Sequence, residues 1–390
     1  MKLLVILSRV PYPLEKGDKL RAFNQIKELS KKNQIVLLAL NDSKLDARAL
    51  DELKKYCVGI AIVPFSKLTI FFNLVRALFS SKPLQVGYFY FSKAQQKVDE
   101  IIKKHQPDHI YCQLIRTAEY VKKYPNIPKT LDYMDVFSKG IERRKTTDKF
   151  YMKPFLAMEY RRLLKYEHDV FSFFTNKTII SEQDKNLIPH PDKNKIVVIP
   201  NGVDTEYFKS IPFDKEFELL FNGNMNYPPN VESVEYLVNK IMPLVWSKLP
   251  ATRLLISGAS PSKKVIALKS ERVEVSGWVD DIRYNFAISK VLVAPMQISI
   301  GLQNKLLEAM SMQMPCVTST LANNAIGAKH DNQIMVADTP EQYAVAIIEL
   351  LQNQTKAKQI AYNGYRFVIS NFNWQASTAK LESLMKLPRK

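Results

Sequence analysis

ISIGLQNKLLEAMSMQMPCV, residues 298–317, joins a polar loop to a helical pattern. The apolar run VLVAP at 291–295 leads into it, a polar loop with one glycine, Gly301, follows, and a helical pattern begins at Lys305, Leu306 and Leu307. Strand, tight turn and helix start are the parts of a parallel α/β sheet. Such a turn aims several backbone N–H groups and the positive end of a helix dipole at one spot, so an anion, above all a phosphate, is the natural guest. Lys305 adds a mobile cation there. Glu308, one turn on, adds an acceptor suited to sugar hydroxyls, so the stretch is expected to hold a nucleotide diphosphate.

The same rhythm extends in both directions. Residues 2–7 are an apolar run without alternation, the mark of a strand buried on both faces. Further strands are expected at 34–40, 58–64, 109–113, 178–181 and 195–200, and, in a second half, at 217–222, 253–257, 273–275, 291–294 and 314–319. Helices are expected over 20–32, 44–55, 68–79, 231–249 and from 340 onward. The stretch PNGVDTEYF (200–208) opens with a turn signal, and the residues to Phe213 have little pattern. The expected organisation is a first Rossmann-like domain over 1–198, a linker over 199–213 and a second domain over 214–370. A helix near 371–390 is expected to pack back on the first.

Bulk properties narrow the class. The chain has 390 residues, 46% of them hydrophobic, enough for two full cores. Cys57, Cys112 and Cys316 are scattered, which fits neither a disulfide scaffold nor a zinc site and suits a reducing, cytoplasmic setting. No run reaches the roughly 18 apolar residues of a membrane span, and the start MKLLVILSRVPYP reads as a strand rather than a secretory signal. The formal charge of +18 predicts attraction to something anionic.

Several segments keep two readings. The helix at 68–79 carries Phe71, Phe72, Leu74, Val75, Leu78 and Phe79; core packing is the favoured reading and an interfacial helix on a membrane the alternative. The basic, aromatic stretch 139–174, with Arg143, Lys149, Arg161, Arg162, Phe155 and Tyr160 among its residues, is read first as a solvated face, with membrane-surface contact alongside the helix at 68–79 as the alternative. Asp132 and Asp135 stand at a strand end, where a cap or loop role is favoured over chemistry. Asp280 and Asp281 are read as a helix cap rather than a metal site. Gly17 is either a loop glycine or a ligand contact. The loops of nucleoside triphosphatases, the nucleophile elbow, HExxH and any ligand-spaced histidine set are absent from the sequence, so hydrolase and oxidoreductase readings start weak.

Six stretches in order resemble one family: RVPYPLEKGDKLRAFNQIKEL (9–29), TLDYMDVFSK (130–139), IPNGVD (199–204), FNGNMNYPPNVESV (221–234), GWVDDIRYNFA (277–287) and GLQNKLLEAMSMQMPCV (301–317). They resemble retaining glycosyltransferases of the GT-B fold, glycosyltransferase family 4, and within it the sugar transferases of exopolysaccharide clusters. The resemblance implies an α/β protein of two Rossmann-like, doubly wound domains facing across a cleft, the first taking the acceptor and the second a nucleotide-sugar donor. It implies that Glu308 binds the donor ribose and that Gly301, Leu302, Gln303 and Asn304 hold the diphosphate and sugar. Gly223 and Asn224 would form the facing donor loop, Gly17 the loop across the cleft, and Val279 would lie near the base. It further implies a cofactor-free, metal-independent reaction in which the nucleotide sugar is a co-substrate.

Three departures stand out. The first glutamate of the Glu-x7-Glu signature falls at Ile300. The usual Arg and Lys clamp is replaced by the cation-free residues 224–230, which leaves Lys305 as the expected catalytic cation. A His-Asp pair becomes Met134 and Asp135, so Asp135 is the remaining candidate for acid–base or acceptor-positioning work. The expected acceptor is a glycan or a polyprenyl-linked sugar, with peripheral contact to an anionic membrane and no nucleic acid partner. The rival readings are a sugar-nucleotide epimerase of the same fold and a basic nucleic-acid-binding protein.

Overall fold

Leu3, Val5 and Leu7 are buried on one side of the first strand and Leu4 and Ile6 on the other, which is why the run 2–7 lacks alternation. The structure, a computed structural model, describes residues 1–14, 16–147, 150–298 and 301–386, and the side chains of Arg143, Thr146 and Thr147 lie outside that description. Lys149 and Ile300, both singled out above, also lie outside the described residues.

The chain divides into two units: 1–200 with 374–390, and 201–373. Among the described residues the first unit holds β1 (Lys2–Leu7), β2 (Gln34–Asn41), β3 (Gly59–Pro64), β4 (His109–Gln113), β5 (Lys129–Asp132), β6 (Asn176–Ile179) and β7 (Val197–Val198). They form one sheet in the order β3-β2-β1-β4-β5-β6-β7, parallel throughout. The second unit holds β8 (Phe217–Asn222), β9 (Leu254–Ser257), β10 (Val273–Gly277), β11 (Ser289–Ala294), β12 (Cys316–Thr318) and β13 (Met335–Val336), in the order β10-β9-β8-β11-β12-β13 and again parallel. Both are doubly wound Rossmann-like sheets. The strand order reverses between β1 and β4 and between β8 and β11, and such switch points are where open α/β sheets take ligands, beyond the carboxyl ends of the strands.

Differences from the expected elements have local causes. The first helix runs Gly17–Leu29 rather than 20–32, because Lys16 is extended and serves as its N-cap, with Asp18 facing the positive dipole end of the first turn. The strand expected over 195–200 shrinks to Val197–Val198, ahead of Pro200, which has no N–H for a ladder. The long helix expected over 231–249 is Pro228–Tyr236, a π turn at Leu237–Ile241 and Met242–Trp246; Pro243 cannot donate to the preceding turn. Residues 201–213, expected as linker, are packed within the second unit: Ser311 Oγ donates to Phe208 O at 2.7 Å and Tyr207 Oη to Asp281 Oδ1 at 3.1 Å. The terminal helix Trp374–Lys386 belongs to the first unit, with Leu381 and Met385 in its core and Asn33 Nδ2 donating to Glu382 Oε1 at 3.0 Å.

The favoured core reading of the helix at 68–79 is overturned. In the helix Lys67–Leu78 only Ala77 is buried, whereas Leu68, Phe71 and Phe72 are 70%, 60% and 66% exposed and Phe79, just after it, 89%. Apolar content alone does not reveal which side a helix buries.

Candidate functional site

In the second unit the chain leaves β8 at Asn222 and turns at Gly223, whose backbone presses against Gly258: a Cβ on Gly258 would lie 1.6 Å from Gly223 O. Two backbones can meet this closely only where one residue has no side chain. Across the switch point, β11 ends at Ala294, and the chain reaches the helix Asn304–Ser311 through Gly301, whose φ of 69° favours glycine. Gln303 is the N-cap of that helix, so its first N–H groups open at the carboxyl ends of β8 and β11.

Lys305 reaches from this helix to the Gly223 loop. Its Nζ donates to Asn230 Oδ1 at 2.7 Å, lies 4.3 Å from the centre of the Phe221 ring, and sits 3.1 Å from the point a Cβ on Gly223 would occupy. Asn230 is held in turn by donating through Nδ2 to Asn224 O at 3.0 Å. The ammonium is buried, with no carboxylate among the described residues within ion-pair distance, and burial pushes its pKa down to about 7. Glu308, one turn further, is half-buried; burial pushes its carboxyl up to about 7, with Lys305 acting in the opposite direction. That carboxylate accepts no hydrogen bond from the described residues. A poorly compensated cation and an unpartnered carboxylate on one short helix are a charge pattern completed by a ligand that brings negative charge and hydroxyls.

The remaining expected site residues are placed as follows. Asn304 Oδ1 accepts from Asn201 Nδ2 at 3.2 Å, which ties the helix start to the chain segment that begins the unit. Leu302 is buried, and Val279 is half-buried in the loop after β10, beside the exposed Trp278. Asp281 caps the helix Ile282–Ala287 by accepting from Arg283 N at 3.0 Å and pairs with the Arg283 guanidinium at 2.6 Å, which holds its carboxyl down to about 2. Gly17 lies in the first unit as the first residue of its helix, exposed, with open space where a Cβ would be.

Asp132 and Asp135, three residues apart, have different roles. Asp132 is neither a cap nor a ligand group but the centre of a buried network: Arg21 Nε donates to it at 2.6 Å, Tyr111 Oη at 2.8 Å and Thr178 Oγ1 at 3.0 Å. Tyr111 Oη also lies 2.6 Å from Gln25 Oε1, while Gln25 Nε2 has no partner. One hydroxyl proton cannot serve two acceptors, so the Gln25 amide is better turned round, donating to the tyrosine oxygen. Asp135 follows Met134, held at φ 60°, a conformation side chains rarely adopt. Its half-buried carboxylate has no hydrogen bond from the described residues, and burial together with the charges of Asp184 and Asp18 raises it to about 7.

Sequence reasoning missed Asn230, Phe221 and a pair of arginines in the first unit. Arg9 lies just past β1 and Arg116 just past β4, after Leu114 at φ 65°. A lone arginine directly after an apolar strand was the available signal.

Residues 216–353 match the family model described as "Glycosyl transferases group 1". An uncharacterized 44.6 kDa protein in the cps region of Klebsiella pneumoniae is 23% identical over 391 aligned residues, which cover 95% of this chain and 96% of that protein. Sucrose-phosphate synthase from Thermosynechococcus elongatus aligns with a TM-score of 0.73 at 14% identity, over 98% of each chain. HepE of Anabaena, solved in complex with UDP, aligns with a TM-score of 0.71 at 16% identity, over 99% of this chain and all of its own. These likenesses show a fold of the GT-B type. The second unit carries a group 1 glycosyltransferase domain.

Proposed function

We propose that the chain is a retaining glycosyltransferase of family 4 that moves a sugar from a nucleotide-diphosphate sugar to a glycan or polyprenyl-linked acceptor in bacterial surface polysaccharide synthesis. The observation that carries this reading is Lys305: a buried ammonium at the switch point with no ion pair among the described residues, beside the Gly223 loop and one turn from Glu308, whose carboxylate has no hydrogen bond from them. The complexes of HepE with UDP and with UDP-glucose support a donor of that class, and the Klebsiella relative's place in a capsule region supports the polysaccharide setting.

The reaction asks the protein for little covalent chemistry. As the bond from the anomeric carbon to the diphosphate breaks, negative charge grows on the leaving oxygens, and fixed N–H groups at the helix start with the Lys305 ammonium stabilise it. Arrival of the diphosphate restores the full charge on Lys305, which burial alone disfavours. Glu308 accepts from the ribose hydroxyls. Asp135, poised near neutrality, orients the acceptor hydroxyl or takes its proton. With a lysine and a helix dipole doing the charge work, turnover proceeds without added divalent metal, at the cytoplasmic face of the membrane.

The test is a thermal-shift and calorimetric screen of nucleoside diphosphates and their sugars, followed by turnover in chelator and assignment of the product's anomeric configuration. Stabilisation by at least one diphosphate and a retained configuration are expected; an inverted product removes the retaining mechanism. Release of an epimerised nucleotide sugar without acceptor would instead favour an epimerase.

A further inference from the structure

Arg9 and Arg116 occupy in the first sheet the position that the donor loops occupy in the second: the carboxyl ends of the two strands flanking the switch point. They line one cavity of about 360 Å³ together with Leu74, Leu84, Gln85, Tyr88 and Phe89. The Arg116 guanidinium lies between the rings of Phe89 and Phe137, 5.1 and 4.8 Å from their centres, and donates through Nε and Nη2 to Gln85 Oε1 at 3.2 and 2.6 Å. Among the described residues its Nη1 makes no hydrogen bond and no carboxylate pairs with it. Burial and the like charge of Arg9 push its pKa down to about 10. Among the described residues Arg9 pairs with Asp18, at 3.0 Å. Two guanidinium groups converging on one cavity are suited to a phosphate, which each can grip through two N–H groups; the charges of Asp18, Asp135 and Asp42 act on Arg116 without forming an ion pair with it among the described residues.

The cavity wall at Leu74 belongs to the helix Lys67–Leu78. At 3.6 residues per turn, Leu68, Phe71, Phe72, Val75, Leu78 and Phe79 fall within a stripe about 120° wide, with Lys67 bordering it on one side and Arg76 on the other. Neither Lys67 nor Arg76 has a hydrogen bond or ion-pair partner among the described residues. Between Glu52 and Asp99 the chain contains Lys54, Lys55, Lys67, Arg76, Lys82, Lys93 and Lys97 and no acidic residue. An exposed aromatic stripe with cationic margins is the form of a helix lying in the headgroup layer of an anionic bilayer.

We propose that the Arg9–Arg116 cavity binds the phosphate of a lipid-linked acceptor, which the Lys67–Leu78 helix reaches by docking its aromatic stripe on an anionic membrane. The lipid chain leaves the cavity past Leu74 toward the bilayer. The acceptor sugar extends toward Asp135, whose charge Arg116 is close enough to influence. This deepens the transferase reading by naming the acceptor class. It also rests on that reading, although vesicle binding needs no donor and so fails or succeeds separately from nucleotide binding.

The experiment is flotation of the full chain with phosphatidylcholine vesicles doped either with a long-chain isoprenyl phosphate or with phosphatidylglycerol at equal surface charge. Binding to the isoprenyl phosphate vesicles is expected to be about 10-fold tighter, the worth of one charge-assisted contact pair. Arg116→Gln should erase that preference and keep the phosphatidylglycerol binding. Arg9→Gln, whose side chain is more exposed, should do the same if the Arg116 variant folds poorly. The double variant Phe71→Ser/Phe72→Ser should lose binding to both vesicles while its melting temperature holds. Equal binding to the two charged vesicles, or a preference that survives both arginine substitutions, overturns the phosphate site; unchanged flotation of the double variant overturns the docking face.

Discussion

Replacing Lys305 with methionine should make the protein more stable and nearly inactive at once. The ammonium sits in a buried pocket against Phe221 with Asn230 as its oxygen partner, and its pKa falls from 10.5 to about 7. At 1.36 kcal/mol per unit, that depression corresponds to a penalty of up to about 4 kcal/mol near pH 7 for holding the charge in the fold. Methionine fills similar space and keeps the contact with the ring, but leaves Asn230 Oδ1 unpaired at a cost of about 1–3 kcal/mol. A net gain of about 2 kcal/mol raises the melting temperature of a unit this size by roughly 4–8 °C. Between pH 7 and 10.5 the unfolded lysine holds more protons than the folded one, so the natural protein gains stability as pH rises and the advantage of the variant shrinks. In turnover the same substitution removes the stabiliser of the departing diphosphate and should cost about 100- to 1,000-fold. Calorimetric melting at two pH values, with turnover measured on the same sample, checks both signs. A lower melting temperature combined with near-normal turnover would refute the reasoning.

Glu308→Ala should weaken nucleoside diphosphate binding by about 10- to 100-fold in titration calorimetry, since hydrogen bonds to a charged group are worth about 1.5–3 kcal/mol. Because Lys305 is mostly neutral near pH 8, binding there should take up protons, readable as an enthalpy that varies with buffer; an enthalpy independent of the buffer would contradict the depressed lysine. Turnover should rise with pH through about 7, as the raised Asp135 carboxyl ionises, and Asp135→Asn should be slow with that rise gone. Gly258→Ala, which sets a methyl 1.6 Å from Gly223 O, should displace the donor loop and lower both melting temperature and nucleotide affinity. Arg21→Met strands Asp132 in a buried site and should cost about 3–5 kcal/mol in denaturant unfolding without changing nucleotide affinity.

Much of the fold was legible because parallel strands buried on both faces leave uninterrupted apolar runs: β4 and β8 stand at the bounds read from the residues, and β1 runs as expected. What escaped was whatever depends on neighbours distant in the chain. Asn230 reads as a loop residue until Lys305, 75 positions away, is seen to reach it. Asp132 and Asp135 look alike in sequence, yet the first is neutralised by Arg21 from the opening helix and the second has no partner among the described residues. The stripe on Lys67–Leu78 has the same composition whether it faces core or solvent, and only the tertiary placement of Ala77 shows which side is packed. Arg9 and Arg116 are brought to one cavity by the pairing of β1 with β4, a fact of strand order rather than of spacing.

The group at Gly223, Lys305 and Glu308 is proposed to bind a nucleotide diphosphate. The most direct test is the melting temperature of the full chain with each of a panel of nucleoside diphosphates at about 100 times the expected dissociation constant. Binding stabilises by about 2.7 kcal/mol there, so at least one should raise the transition by roughly 5–10 °C, and Glu308→Ala should cut the shift to roughly a sixth to a half of that. A panel in which no diphosphate moves the transition, or a shift that Glu308→Ala leaves intact, would contradict the account.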